Sequence, residues 1–334
     1  MADPTTDLTN GIDFGRSVMV CSKPLQVLNC ASIVRHFGIA DSRLHVLTTS
    51  IEGVEEFRRF LSSSGYQDVF SSVSWNLDYA DAIAEFTRSE YDTLFIEDDR
   101  VGRYRTFVPH RTNRMVLFEE GIGTYRSSSE MSLRGLRKLK WKVLVVTTGC
   151  GWEFGEGRLT DVVAVSRPDV YRRLNPRTAH KTIGFPGIVD ELRFEADAWE
   201  QLVLDQLGRP SERLGRIALV LAKWGSTPDA ILDRALLDAD VVFYKAHPHD
   251  GTPVERPDVV NLPSSWIPAE AVVDVLARRS DRLTVFHHSS SVAFYLGGRL
   301  DGVDFVDLLD SDQLRDVLAA AQHRSSGPNV GGQS

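Results

Sequence analysis

Short apolar runs separated by amphipathic stretches, in a pattern that occurs twice along the chain, restrict the fold more than any other feature. In the first half, strand-like runs fall at Ser17–Cys21, Leu44–Leu47, Thr93–Ile96, Met115–Phe118 and Val143–Val146. Helical spacing of apolar residues marks Leu25–Phe37, Ile51–Leu61 and Tyr79–Phe86. Continuous apolar strands are those buried on both faces, and alternation with helices supplies the cover, so a largely parallel sheet is expected. From about Arg167 to Arg216 the pattern weakens to the turn-rich GFPG at Gly184–Gly187 and one predicted helix, Asp190–Leu207. A second series then places strands at Ile217–Leu221, Val241–Tyr244 and Leu283–Phe286. Its predicted helices are Thr227–Leu237, Pro268–Arg278, Ser291–Leu296 and Ser311–Gln322.

The chain therefore reads as α/β, with two Rossmann-like domains and an active site in the cleft between them. Its 334 residues suit two domains. The expected layout is a disordered N-terminus over 1–15, a first domain over 16–185 and a crossover over 186–215. A second domain over 216–322 and a disordered tail over 323–334 complete it. Ligands of open parallel sheets bind beyond the carboxyl ends of the strands, so residues just after strands are the ones to inspect.

Composition excludes several classes of function. With 42% hydrophobic and 25% charged residues, the chain has the make-up of an ordinary globular protein. A net charge of −8 argues against nucleic-acid binding, which needs a basic surface. Three scattered cysteines (Cys21, Cys30, Cys150) form neither a disulfide framework nor a zinc site. The polar start MADPTTDLTNGIDFGRS holds no apolar signal-peptide core, and no apolar run approaches a bilayer span, so a cytoplasmic protein is expected.

Four segments carry residues suited to chemistry. Glu119, Glu120 and Gly121 follow the apolar run MVLF, where a carboxylate can serve as general base or simply cap the strand. Lys245 ends the run VVFYK, and His247, Pro248 and His249 come just after it; histidine is the side chain best suited to hold or deliver a proton near neutral pH, though a surface loop fits too. Glu270, in WIPAE, is expected to be exposed at a helix start, favouring the dipole or accepting from a ribose. Ser289, Ser290 and Ser291 precede VAFYLGG, where hydroxyls cap a helix or cradle a phosphate. Two weaker candidates, Ser22–Gln26 and the acidic run Glu97, Asp98, Asp99, are strand-end turns or contacts to an acceptor.

Taken in order, these segments resemble the bacterial sialyltransferases of the lipooligosaccharide and capsular polysialyltransferase kind. The resemblance covers most of the chain, from VCSKPLQVLNC to the serines. The family pattern is an acidic pair followed by glycine (Glu119, Glu120, Gly121), a His-Pro pair (His247, Pro248) and paired serines or threonines within Ser289–Ser291. Spacing agrees: His247 to Glu270 is 23 positions, and Glu270 to Ser290 is 20. One departure is Glu120, where the family more usually has aspartate.

The resemblance implies a two-domain fold of the GT-B kind. It also implies inverting transfer of sialic acid, or a related nonulosonic acid, from a CMP donor to a glycan. The acceptor would belong to a lipooligosaccharide or surface polysaccharide and is open to being lipid-linked. Glu120 is then the base and Glu119 its loop-orienting neighbour. His247 stabilises the departing phosphate. Pro248, Glu270, Ser290, Ser291 and Gly121 complete the CMP site, with Ser289 as helix cap. Ser22, Pro24 and Gln26 are acceptor candidates. Neither metal nor cofactor is needed, because the leaving group is a monophosphate that an imidazole and hydroxyls can offset. The cationic RGLRKLKWK (Arg134–Lys142) is a contact to the inner face of the membrane, a contact to an anionic glycan, or an ordinary solvated face. A transferase using CMP-Kdo or CDP-glycerol is the second reading, and a non-catalytic glycan- or nucleotide-binding module the third.

Overall fold

The computed structural model describes residues 12–100, 106–110, 114–125, 142–143, 145–151, 153–208, 213–222, 229–247, 253–262, 266–288 and 290–308. The first sheet contains β1 (Ser17–Cys21), β2 (Ser42–Leu47), β3 (Ser72–Asn76), β4 (Thr93–Ile96), β5 (Arg114–Phe118), β6 (Val162–Val165) and β7 (Thr182–Gly184). Their order is β3-β2-β1-β4-β5-β6-β7, and every pairing is parallel. Helices α1 (Pro24–Phe37), α2 (Val54–Ser63), α3 (Tyr79–Phe86) and α4 (Pro168–Leu174) fill the crossovers. The reasons are local. Pro24 stands in the first turn of α1, where a missing N–H costs nothing, and Asp78 caps α3 by accepting from the N–H groups of Ala80 and Asp81.

The second sheet contains β8 (Leu214–Leu221), β9 (Val241–Lys245), β10 (Val259–Asn261), β11 (Ser280–His287) and β12 (Val303–Asp307), in the order β10-β9-β8-β11-β12 and again all parallel. Its helices are α7 (Asp229–Asp238), α8 (Ala269–Arg279) and α9 (Ser291–Leu296). Helices α5 (Ile188–Phe194) and α6 (Ala196–Leu207) lie in the chain between the sheets. Each sheet reverses its strand order once, between β1 and β4 and between β8 and β11. Such switch points open crevices at the carboxyl ends of the strands.

Several expectations are corrected. Residues 142–143 and 145–148 are helical rather than a strand, with Val143 and Val146 55% and 77% exposed. The place beside β5 goes instead to Val162–Val165, whose four residues are all buried. The helix expected over Asp190–Leu207 is two helices, because Glu195 leaves helical geometry (φ −113°, ψ 38°). The weakly patterned middle also holds β7 and α4, so it is not a bare crossover. The expected helix Ser311–Gln322 lies outside the described residues.

Aromatic side chains weld the two halves. Trp266, which precedes α8, packs on Phe57 and Phe60 of α2 with ring centroids 5.3 and 5.7 Å away. Phe60 meets Trp199 of α6 at 4.3 Å, and the Trp199 indole N–H donates to the Tyr66 hydroxyl at 3.0 Å. One hydrophobic cluster accordingly runs from β1 through to α9.

Beyond β4, Asp99 organises the loop that leads into β6. Its carboxylate is fully buried and accepts from the N–H of Gly155 (3.0 Å), the N–H of Gly157 (2.7 Å) and the Thr160 hydroxyl (2.9 Å). A side chain at position 157 would put Cβ 2.6 Å from the Asp99 carboxylate, so glycine is required there. Burial pushes the Asp99 carboxyl up from its ordinary 3.8 to about 6, against the pull of these hydrogen bonds. Between those two values the folded chain binds more protons than the unfolded one, so this group's contribution to stability falls as pH rises from about 4 to about 6. The change is worth roughly 3 kcal/mol. Denaturant titrations from pH 4 to pH 7 should therefore show the stability advantage of wild type over Asp99→Asn shrinking as pH rises; a constant or growing advantage contradicts this account.

Candidate active site

At the end of β5, successive side chains point to opposite sides, which separates two adjacent carboxylates. Glu119 turns inward and is fully buried. It accepts from the Ser166 N–H (2.7 Å), the Ser166 hydroxyl (2.9 Å) and the hydroxyls of Tyr125 and Tyr295. Burial still pushes its carboxyl above the ordinary range. Tyr125 and Ser166 belong to the first half of the chain; Tyr295 lies on α9. The Arg167 guanidinium adds a second crossing, donating to the Phe294 carbonyl at 2.8 Å.

Glu120 turns the other way. Its side chain is 18% exposed, with the Lys23 ammonium 3.9 Å and the Arg100 guanidinium 3.4 Å from its two oxygens. Arg100 is aimed by Asp98, which takes two of its N–H groups at 2.7 and 3.0 Å. Gly121 has φ 143°, a conformation that side chains disfavour, and its carbonyl accepts from the Thr124 N–H at 3.1 Å. The Thr124 hydroxyl accepts from the Glu120 N–H at 3.1 Å. Of these residues, Arg100 escapes the sequence pattern, and Lys23 falls within the candidate segment Ser22–Gln26 without being singled out there. Their only signal is a basic residue just past an apolar strand.

The acceptor candidates after β1 occupy a different place. Ser22 and Gln26 are buried, and both donate to the buried Glu97 carboxylate, which also accepts from the Tyr79 hydroxyl. Gln26 further accepts from the Ser22 N–H at 2.7 Å. These side chains brace the β1–α1 turn. Pro24 stands half-buried at the start of α1. The acidic run is likewise spent on structure: Glu97 on this turn, Asp98 on Arg100 and Asp99 on the loop into β6.

In the second half, Glu270 is not exposed at its helix start but 3% exposed. Helices α8 and α9 begin side by side, and the Ser291 hydroxyl donates to the Glu270 carboxylate at 2.6 Å. Burial pushes the Glu270 carboxyl up, opposed by Ser291 and the nearby Lys245. Lys245, buried at the end of β9, is pulled down to about 8 by the same desolvation. His247 follows two residues later and is half-buried. The cap of α9 is Ser290, not Ser289: its Oγ accepts from the Val292 N–H at 3.3 Å, and its own N–H donates to His287 Nδ1 at 3.3 Å. Pro248, His249, Ser289 and Arg134–Trp141 lie outside the described residues.

The structure thus brings three of the sequence motifs into one chain of contacts. It runs from Glu119 to Tyr295, along α9 to Ser291, and on to Glu270 beside Lys245. Among the described residues no cluster of three or more His, Cys, Asp or Glu is placed to hold a metal ion. Nor is any described helix long and apolar enough to cross a membrane.

No protein-family model matches this chain, and no curated protein matches its sequence. Solved structures do. The wall teichoic acid polymerase TagF soaked with CDPG matches with a TM-score of 0.51 and 12% identity, covering 94% of this chain and 75% of that one. The UDP-GlcNAc 2-epimerase from Neisseria meningitidis bound to UDP-GlcNAc gives 0.47 at 11% identity, covering 80% of this chain and 76% of its own. A sialyltransferase from Photobacterium damsela gives 0.40 at 13% identity, covering 87% and 81%. At such identities the likeness speaks for the fold alone: two parallel-sheet α/β domains in the GT-B arrangement.

Proposed function

We propose that this protein is a glycosyltransferase that moves a sialic acid, or a related nonulosonic acid, from a CMP donor to a glycan acceptor with inversion. The observation that carries the reading is the division of labour in the acidic pair. Glu119 is consumed in the contact to α9, while Glu120 stays partly open between Lys23 and Arg100. In this reading Glu120 takes the proton of the acceptor hydroxyl as it attacks the anomeric carbon. His247 stabilises the departing CMP phosphate, and the Ser290 hydroxyl donates to it. Glu270 orients Ser291 in the ligand-free protein and is the candidate partner of the donor ribose. Fixed donors and charges placed where charge develops are the main source of rate enhancement in such sites.

A transferase using another cytidine-activated donor, such as CMP-Kdo or CDP-glycerol, is the second reading, favoured by the likeness to TagF soaked with CDPG. Release of CMP from CMP-sialic acid, with and without glycan acceptors, separates the two. Release of CMP that depends on a glycan supports the first; turnover of CDP-glycerol alone supports the second.

A ligand that binds only the folded state raises its melting temperature. CMP should do so while UDP and GDP do much less; equal shifts from all three would remove the argument for cytidine. Transfer should persist in EDTA, because imidazole and hydroxyl groups take the place of a cation. Complete loss that magnesium restores would overturn that assignment. Finally, Glu120→Gln keeps shape but cannot accept a proton, so transfer should fall by ~10²–10⁴-fold with CMP affinity nearly unchanged. His247→Ala should lower transfer and CMP affinity together. Near-normal transfer in Glu120→Gln would remove this residue as the base.

A further inference from the structure

The buried carboxylate of Glu119 has no chemical step assigned to it, yet it is among the most heavily hydrogen-bonded side chains in the cleft. Its donors divide by origin. Tyr125 and both donors of Ser166 come from the segments that follow β5 and β6, as Glu119 itself does. The Tyr295 hydroxyl comes from the other sheet's helix α9. An isolated buried carboxylate is costly, so the fourth donor cannot leave without loss.

The position of Tyr295 gives that bond its meaning. Tyr295 and Ser291 are four residues apart on α9 and share a face. Ser291 on this face donates to Glu270, and Tyr295 donates to Glu119. Ser290, at the N-cap, is therefore held one helical turn from a bond to the residue adjacent to Glu120. The neighbouring contacts support the same arrangement. The Phe294 carbonyl accepts from Arg167, and the Phe294 ring lies 4.5 Å from that of Tyr125.

We propose that Glu119 is a positioning residue, an interdomain latch: by accepting from Tyr295 it sets the serine-bearing helix α9 against the strand end that carries Glu120, and widening the cleft requires this bond to break. The proposal rests on the reading of Glu120 and Ser290 as the two sides of one site. Placement errors of about 1 Å at such a site cost up to 10²-fold in rate, so the latch acts on turnover more than on nucleotide binding.

Tyr295→Phe removes the hydroxyl and keeps the ring. Tyr125→Phe is the control: it takes an equivalent donor from Glu119 and an acceptor from the Arg167 N–H, but keeps the ring packed on Phe294 and leaves the Tyr295 hydroxyl bond in place. The three native cysteines are buried, so spin labels on Leu77→Cys and Leu237→Cys, positions 60% and 83% exposed, report the distance between the domains. Tyr295→Phe should broaden that distance distribution, whereas Tyr125→Phe should leave it as in the wild type although both variants melt earlier. In the transfer assay Tyr295→Phe should lower kcat by roughly ten- to a hundredfold with KM for the CMP donor changed less than about threefold. An unchanged distribution in Tyr295→Phe, or equal broadening in Tyr125→Phe, overturns the latch. The distance measurement needs no substrate, so it decides the matter even if CMP-sialic acid proves not to be the donor.

Discussion

A carboxylate withdrawn from water must be given hydrogen-bond donors or it destabilises the fold by several kcal/mol. Glu97, Asp99, Glu119 and Glu270 are withdrawn in this way. Each sits just past a strand or in the first turn of a helix, and each recruits donors from a segment distant in sequence. Glu97 gathers the β1–α1 turn and α3. Asp99 gathers the loop into β6. Glu119 gathers the segment after β6 together with α9, and Glu270 joins the starts of α8 and α9. The loops that define the cleft are therefore shaped by the need to satisfy these charges.

Against that background Glu120 stands apart. Its nearest cations are 3.4 and 3.9 Å away, and its side chain stays 18% exposed. Two other acidic residues near it are committed to structure, Glu119 to α9 and Asp98 to Arg100. Identical side chains one residue apart thus take different parts. Strand geometry aims them to opposite sides, and only one side offers a cage of hydroxyl and amide donors.

Much of the fold was legible in the residues because burial on both faces leaves an unmistakable apolar run. Strand β1 and helices α3 and α9 begin and end where periodicity places them. Strands β3, β7, β10 and β12 were not found, being short or mixed with polar residues such as Ser72, Ser74, Asp304 and Asp307. The run Val143–Val146 misled because an apolar stretch says only that burial is possible. The sheet took Val162–Val165 instead and left Val143 and Val146 in a helical segment open to water. Glu270 misled for the converse reason: a helix start is exposed by default, and here a second helix start is laid beside it.

For the site, the residues by themselves determined which positions follow strands, and hence that Glu119, Glu120, His247 and Ser290 lie at the edges where such sheets bind ligands. That follows from chain periodicity, which is local. Only the tertiary structure decided that Glu119 is locked by Tyr295, that Glu120 lies between Lys23 and Arg100, that Ser22 and Gln26 are braces, and that Ser290 is the cap. Those outcomes depend on donors up to 176 residues away in sequence, and no local pattern records which distant hydroxyl will reach a buried charge.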